Sequence, residues 1–206
     1  VFGIRLYEEP RYDLIERLNA AVEIRRYAPR LAAEVELASS DDAGRSEAFQ
    51  LLFNYIAGAN SSAAAAQDRI AMTAPVEVGG PASATNATPG DKALVAMTVP
   101  VETSDSVGAR HMRFFMPAKY TLTTAPTPLN PRVRLVTVPE QTIAILRFSG
   151  TGRDAAARKA ELVDQLAGGA TWKPDGEAYT LFYDAPVTLP FLRRNEAAAK
   201  VMKAGG

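Results

Sequence analysis

The eight residues Ile70-Ala71-Met72-Thr73-Ala74-Pro75-Val76-Glu77 return almost unchanged as Val95-Ala96-Met97-Thr98-Val99-Pro100-Val101-Glu102, identical at six of eight positions. A repeat this long, with its proline fixed in place, requires two equivalent structural positions. Each copy alternates apolar with small or polar residues, is rich in β-branched types and ends at a proline that cannot donate to a ladder. Each is therefore expected to be a strand leaving a sheet edge. Neither copy supplies a nucleophile, and Met72 and Met97 read as packing residues.

The rest of the chain supports a mixed reading. Arg11–Leu18 and Val22–Tyr27 read as strands, and Leu31, Ala33, Val35 and Leu37 alternate with Ala32, Glu34 and Glu36 as a half-buried strand does. Ser39, Ser40, Asp41 and Asp42 offer helix caps before a helix over about Ser46–Ala57, which Gly58 ends. Phe49, Leu52, Phe53 and Ile56 form one stripe of that helix, and Ala48, Leu51 and Tyr55 widen the apolar sector to about 200°. Such a face needs cover from either a second protein element or a flat apolar ligand. Gly79–Gly90 reads as a loop, His111–Met116 as a strand, and Pro117–Pro131 as an extended connection. Val133–Val138 and Thr142–Phe148 are further strands, the latter apolar enough to be buried on both faces. A helix over Asp154–Leu166 and a strand over Glu177–Tyr183 follow. The order strand, strand, helix, strand occurs twice, so the expectation is an α+β fold. Two duplicated ββαβ halves, pseudo-repeats about 22–102 and 133–201, give an antiparallel sheet of about eight strands with two flanking helices. All of it forms one domain over residues 1–206.

Lysine plus arginine equals aspartate plus glutamate at 23 each, with no five-residue run of one sign. No global field recruits nucleic acid or an acidic membrane, and a small-molecule or protein partner is expected instead. The chain has no cysteine, which rules out disulfides and thiolate ligation of zinc or haem. No apolar run approaches the roughly 18 residues of a membrane span. No Ser-His pattern, P-loop or metal-ligand cluster suggests an enzyme. The first residue is Val1 rather than methionine, and removal of an export leader is one expectation from that.

Six ordered motifs resemble the SOUL haem-binding protein family. They are Val22-Glu23-Ile24-Arg25-Arg26-Tyr27; the helix end Tyr55-Ile56-Ala57-Gly58-Ala59-Asn60; the two repeat copies; Phe115-Met116-Pro117; Leu146-Arg147-Phe148-Ser149-Gly150; and Tyr183-Asp184-Ala185-Pro186 with Arg193-Arg194-Asn195-Glu196. The resemblance runs from about residue 11 to 196. It implies a distorted antiparallel β-barrel and reversible binding of haem or metal-free porphyrin in an apolar groove, for carriage, storage or buffering. Bacterial relatives often carry a lipid-anchored leader, so a periplasmic or anchored location is one expectation and a cytoplasmic one the alternative.

Carried over by position, the groove is lined by Phe49, Phe53 and Ile56 of the first helix and closed by Leu189 and Phe191. Arg26, Arg193 and Arg194 are candidates for the porphyrin propionates, because guanidinium forms bidentate bonds to carboxylate. Strand alternation puts Arg26 on the apolar face with Val22 and Ile24, where a charge needs a partner. One branch of the family has histidine at this position as a proposed iron ligand; arginine cannot coordinate iron. His111, the only histidine, is the candidate axial ligand, although its strand mates Met112, Phe114 and Met116 form the more apolar face. Two other functions compete: an effector-binding module for another apolar or planar ligand, and a protein-interaction domain or homodimer that uses the first-helix face. Finally, Glu196-Ala197-Ala198-Ala199-Lys200 is a strong helix-forming string where the family has a closing strand.

Overall fold

The computed structural model describes residues 8–39, 41–61, 70–73, 76–78, 96–98, 111–151, 153–184 and 188–204. In chain order the elements are β1 (Tyr12–Arg17), β2 (Val22–Tyr27), β3 (Arg30–Glu36), α1 (Asp42–Ala57), β4 (Asn60–Ser61), β5 (Ile70–Thr73), β6 (Val76–Val78), β7 (Ala96–Thr98), β8 (His111–Phe115), β9 (Thr127–Pro128), β10 (Val133–Val138), β11 (Gln141–Phe148), α2 (Ala155–Ala167), β12 (Trp172–Pro174), β13 (Tyr179–Phe182), a 3-10 turn (Pro190–Leu192) and β14 (Asn195–Lys203).

Two long stretches organise the fold. Residues 22–36 run antiparallel to residues 133–148 in one unbroken register, from Val22 opposite Leu146 to Val35 opposite Val133. Counting along that register sets Pro29 opposite Pro139. Neither proline can donate to the ladder, and pairing lapses there. Each stretch is thereby divided in two: β2 pairs with β11 and β3 with β10.

Among the described residues the main sheet has ten strands rather than about eight, in the order β1-β2-β11-β14-β13-β6-β8-β3-β10, with β12 attached to β14. All its pairings are antiparallel. Its path starts at β1 and stops at β10, leaving two edges. The sheet reads alike from both sides, because β2-β11-β14-β13 and β10-β3-β8-β6 correspond strand for strand. Within that path the chain order β2, β3, α1, β6, β8 is matched by β10, β11, α2, β13, β14, with the short strands β4, β5, β7, β9 and β12 lying outside the match.

The two copies of the repeat do form strands. They lie side by side, β5 parallel to β7, with Ile70 opposite Ala96 and Thr73 opposite Thr98. The first copy does not leave at an edge: it continues as β6, which sits inside the main sheet between β13 and β8. Pro75, Pro100, the 79–90 loop and the side chains of Met72 and Met97 lie outside the described residues.

One face of the sheet carries the helices. Helix α1 starts four residues earlier than the apolar stripe predicts, because Asp41 accepts the Gly44 N–H at 2.9 Å and caps it. It ends at Gly58, whose φ of 129° suits only glycine. Its residues Ala48, Leu52, Tyr55 and Ile56 pack with Ala33, Val35, Met112 and Phe114 of the sheet. Helix α2 sets Leu162 and Leu166 against Val22, Ala144, Ala197 and Ala199.

The closing segment is a strand. Glu196–Lys200 pairs with β11 on one side, and Glu196–Ala198 with β13 on the other. Ladder bonds on both sides outweigh a per-residue preference of under about 1 kcal/mol. The alanines have a packing reason: Ala197 and Ala199 lie beneath α2, and Ala198 is buried on the opposite face. Ala199→Leu should therefore cost about 1–3 kcal/mol by overpacking, measured by urea unfolding; an unchanged midpoint would mean that α2 does not press on this strand.

Candidate functional site

The helix-bearing face holds a ladder of three aromatic rings that runs from core to surface. Phe114 is buried on β8. Phe49 meets it edge-on at 5.7 Å between centroids, and Phe53 stacks on Phe49 at 6.2 Å and 19°. Phe53 ends the ladder 41% exposed. The wide apolar sector of α1 is partly covered by β7, which packs against the helix. Ile56 is not a surface residue; it belongs to the core cluster with Leu52 and Tyr55.

Leu189, Phe191 and Leu192 form an exposed apolar group at the 3-10 turn before β14, with Phe191 at 71% exposure. Arg193 braces that turn, its Nε donating to the Thr188 carbonyl at 2.7 Å. Strand register sets the root of this loop, Phe182, opposite Val76 and Val76 opposite Phe114. The loop thus leaves the sheet two strands, about 10 Å, from the foot of the aromatic ladder.

The other three candidates sit elsewhere. Arg26 shares a strand face with Val22 and Ile24, but the apolar cover ends before it. It is 47% exposed and bonded to Asp13 at 3.1 Å. His111 is buried at the end of β8, opposite Glu36. Alternation turns it away from α1, since Met112 and Phe114 take the helix side. Arg194 enters the interior.

That interior, the sheet face away from the helices, is where sequence reading missed most. It combines two apolar clusters, one around Tyr27, Ile143, Ile145 and Tyr179 and one around Phe115, Val136 and Val138, with two buried ionic groups. Arg30 joins the clusters, its guanidinium 4.4 Å from the Tyr27 ring and 4.3 Å from the Phe115 ring. In the first ionic group Arg113 bonds Glu34 at 2.7 Å and Glu77 at 2.6 Å, and Arg134 reaches Glu34 from the rim. In the second, Glu196 accepts from Arg25 (3.1 Å), Arg194 (2.9 Å) and the Tyr183 hydroxyl (2.6 Å).

The electrostatics follow from burial with partners. Burial alone would lower the Arg25 guanidinium, but Glu196, Tyr27 and Glu23 override it and hold the group above its ordinary value. Arg113 is likewise raised, because Glu77 and Glu34 outweigh its burial. Burial and then Glu196 push the Tyr27 phenol up to about 12 and Tyr183 well above the usual value. The cations are therefore fixed in charge and the phenols stay protonated.

A cavity of about 370 Å3 opens at one end of this interior, lined by Arg17, Arg25, Arg147 and Arg194 among others, with Glu9 and Glu23 as its acids. Arg194 is already a candidate from the sequence; for Arg17, Glu23, Arg25 and Arg147 the signal is a charge at an inward strand position. Among the described residues no three histidine, cysteine or acidic side chains converge as a metal site. No helix of the described residues is long and apolar enough to cross a membrane.

A family model described as SOUL heme-binding protein matches residues 7–200. No curated protein sequence matches the chain.

Two outcomes test the interior. Arg113→Met leaves Glu34 and Glu77 buried without their cation and should cost about 3–5 kcal/mol; adding Glu34→Gln and Glu77→Gln should return much of that. A single variant as stable as the parent would contradict the pairing. The second concerns alkali. Unfolded tyrosine ionises near pH 10, below the folded values, so the native state retains protons that the unfolded chain has released. Stability is complete below pH 10 and should fall as pH rises toward 12. Tm across that window should decline less steeply in Tyr27→Phe, and parallel profiles would refute the assignment.

Proposed function

The chain belongs to the SOUL haem-binding family, and we propose that it holds haem or metal-free porphyrin reversibly on the outward face of α1, for carriage, storage or buffering. The observation that carries this reading is the aromatic ladder: Phe53 is exposed, yet it is fixed by stacking on Phe49, itself seated on buried Phe114. A rigid apolar surface of this kind suits a flat macrocycle, which gains roughly 25 cal/mol for each Å2 of apolar surface removed from water. Leu189 and Phe191 supply a second apolar wall that can fold over the bound ring, and Arg193 is the cation of that loop suited to a propionate.

The residues present fit the macrocycle better than its iron. The chain has no cysteine and one histidine, and His111 is buried on a strand whose helix-facing side is taken by Met112 and Phe114. Affinity in this reading comes from apolar contact, with iron ligated weakly or by water. When bound, haem supplies its own redox and ligand chemistry; the protein's part is to bind and shield it. The family is a haem-binding rather than an enzyme family, and we read the chain as non-catalytic. In the same reading the two matching halves descend from a duplication, and the sheet curls into a distorted barrel.

Titration with hemin and, separately, protoporphyrin, followed at the Soret band, should give saturable binding of both. Phe53→Ser with Phe191→Ser should weaken each at least tenfold, and His111→Ala should leave both unchanged. Absence of saturable binding would overturn the haem reading. Loss of hemin binding in His111→Ala alone would overturn the apolar mode.

A further inference from the structure

The arginine-lined cavity lies on the opposite side of the sheet from α1 and owes nothing to the tetrapyrrole reading. From its charge accounting we infer that it is a binding site for a small oxyanion carrying two negative charges, a dicarboxylate or a phosphate. Its walls present four arginines against two glutamates. Each acid is already committed: Glu23 to Arg17 at 2.6 Å and Arg25 at 2.7 Å, Glu9 to Arg194 at 2.9 Å.

Arg147 is the decisive residue. Its register partner across the ladder is Glu196, which would ordinarily pair with it. The Glu196 oxygens are instead occupied by Arg25, Arg194 and Tyr183. No carboxylate among the described residues lies within ion-pair distance of Arg147. Its guanidinium lines the cavity with five donors in a planar fork, a geometry that matches carboxylate or phosphate oxygens.

Arg17 is the second contact. It and Arg147 project from β1 and β11, which lie on either side of β2, so the two cations reach the cavity from two strands about 10 Å apart. Arg147, together with an Arg17 that shares its charge with Glu23, suits a ligand whose two anionic groups are spaced to meet both. Arg25 and Arg194, held protonated by their buried acids, add a fixed positive field behind them. Counting Glu196 with the lining acids, four cations stand over three anions, so the cavity keeps a net positive charge that attracts an anion. Tyr12, its ring under the Arg25 guanidinium at 4.4 Å, and Ile145 supply the apolar part of the wall.

The test is a thermal-shift titration of the full chain with inorganic phosphate, pyrophosphate, malonate and succinate at constant ionic strength, set with chloride. Three chains are compared: the parent, Arg147→Gln, and Arg26→Gln as a control of equal charge change outside the cavity. Arg147 is exposed and has no ion-pair partner among the described residues, so its substitution should leave the fold intact. The parent and Arg26→Gln should show a saturable rise in Tm with at least one of these anions, and Arg147→Gln should need at least tenfold more of it. Phosphates acting alone would identify a phosphate site, and malonate or succinate acting alone a carboxylate site. Equal responses of all three chains, or none beyond chloride, would overturn the proposal. Hemin binding is read separately, so loss of either activity leaves the other decidable.

Discussion

Glu196 is a carboxylate with no access to water, and much of the molecule is arranged around keeping it charged. Its two oxygens accept from Arg25 on β2, from Arg194 and from Tyr183, so one side chain joins the central strand to an outer strand and to the segment that precedes it. A buried charge left alone costs several kcal/mol, which is why these partners form a set. The consequences spread outward. Arg194 is drawn inside instead of remaining at the apolar loop, two phenols are kept protonated, and Arg147 loses the acid that its register assigns to it. A counterpart exists in the other half, where Arg113 is the buried charge and Glu34 and Glu77 are its partners.

The sheet separates two kinds of chemistry by strand parity alone. On the helix side, Val22, Ala144, Ala197 and Ala199 meet α2, while Ala33, Val35, Met112 and Phe114 meet α1. The other side alternates arginine, glutamate and tyrosine with aliphatic residues, and the buried ionic groups form there. The aromatic ladder and the arginine-lined cavity therefore lie on opposite faces of the same sheet.

Much of the fold was legible because periodicity is a local property. Val22–Tyr27, Val133–Val138 and the apolar run ending at Phe148 announce strands, and Gly58 and Asp154 mark helix limits close to where they fall. The candidate site was legible in part. Phe49 and Phe53 do form a stacked pair, but Ile56 is core, because a face 200° wide includes residues that point straight into the sheet. Arg26 and its neighbour Arg25 show a related limit. Alternation assigned both to faces correctly, yet the face called apolar ends before Arg26, and the face called polar is the interior where Arg25 is buried. Polarity along one strand does not say which side water reaches.

The sequence by itself determined the alternation of each strand, the stripe and caps of the helices, the prolines that break the long ribbon, and membership of a haem-binding family. It also settled that ligation cannot use cysteine and can use only one histidine. Tertiary structure decided what depends on partners distant in the chain: that Glu196-Ala197-Ala198-Ala199-Lys200 is a central strand rather than a helix, that Glu196 takes Arg25 from 171 residues away, and that Arg147 is left facing a cavity. The physical reason is range. Propensity acts over a few residues at tenths of a kcal/mol each, whereas ladder bonding, burial and the pairing of buried charges act between segments and are several-fold larger.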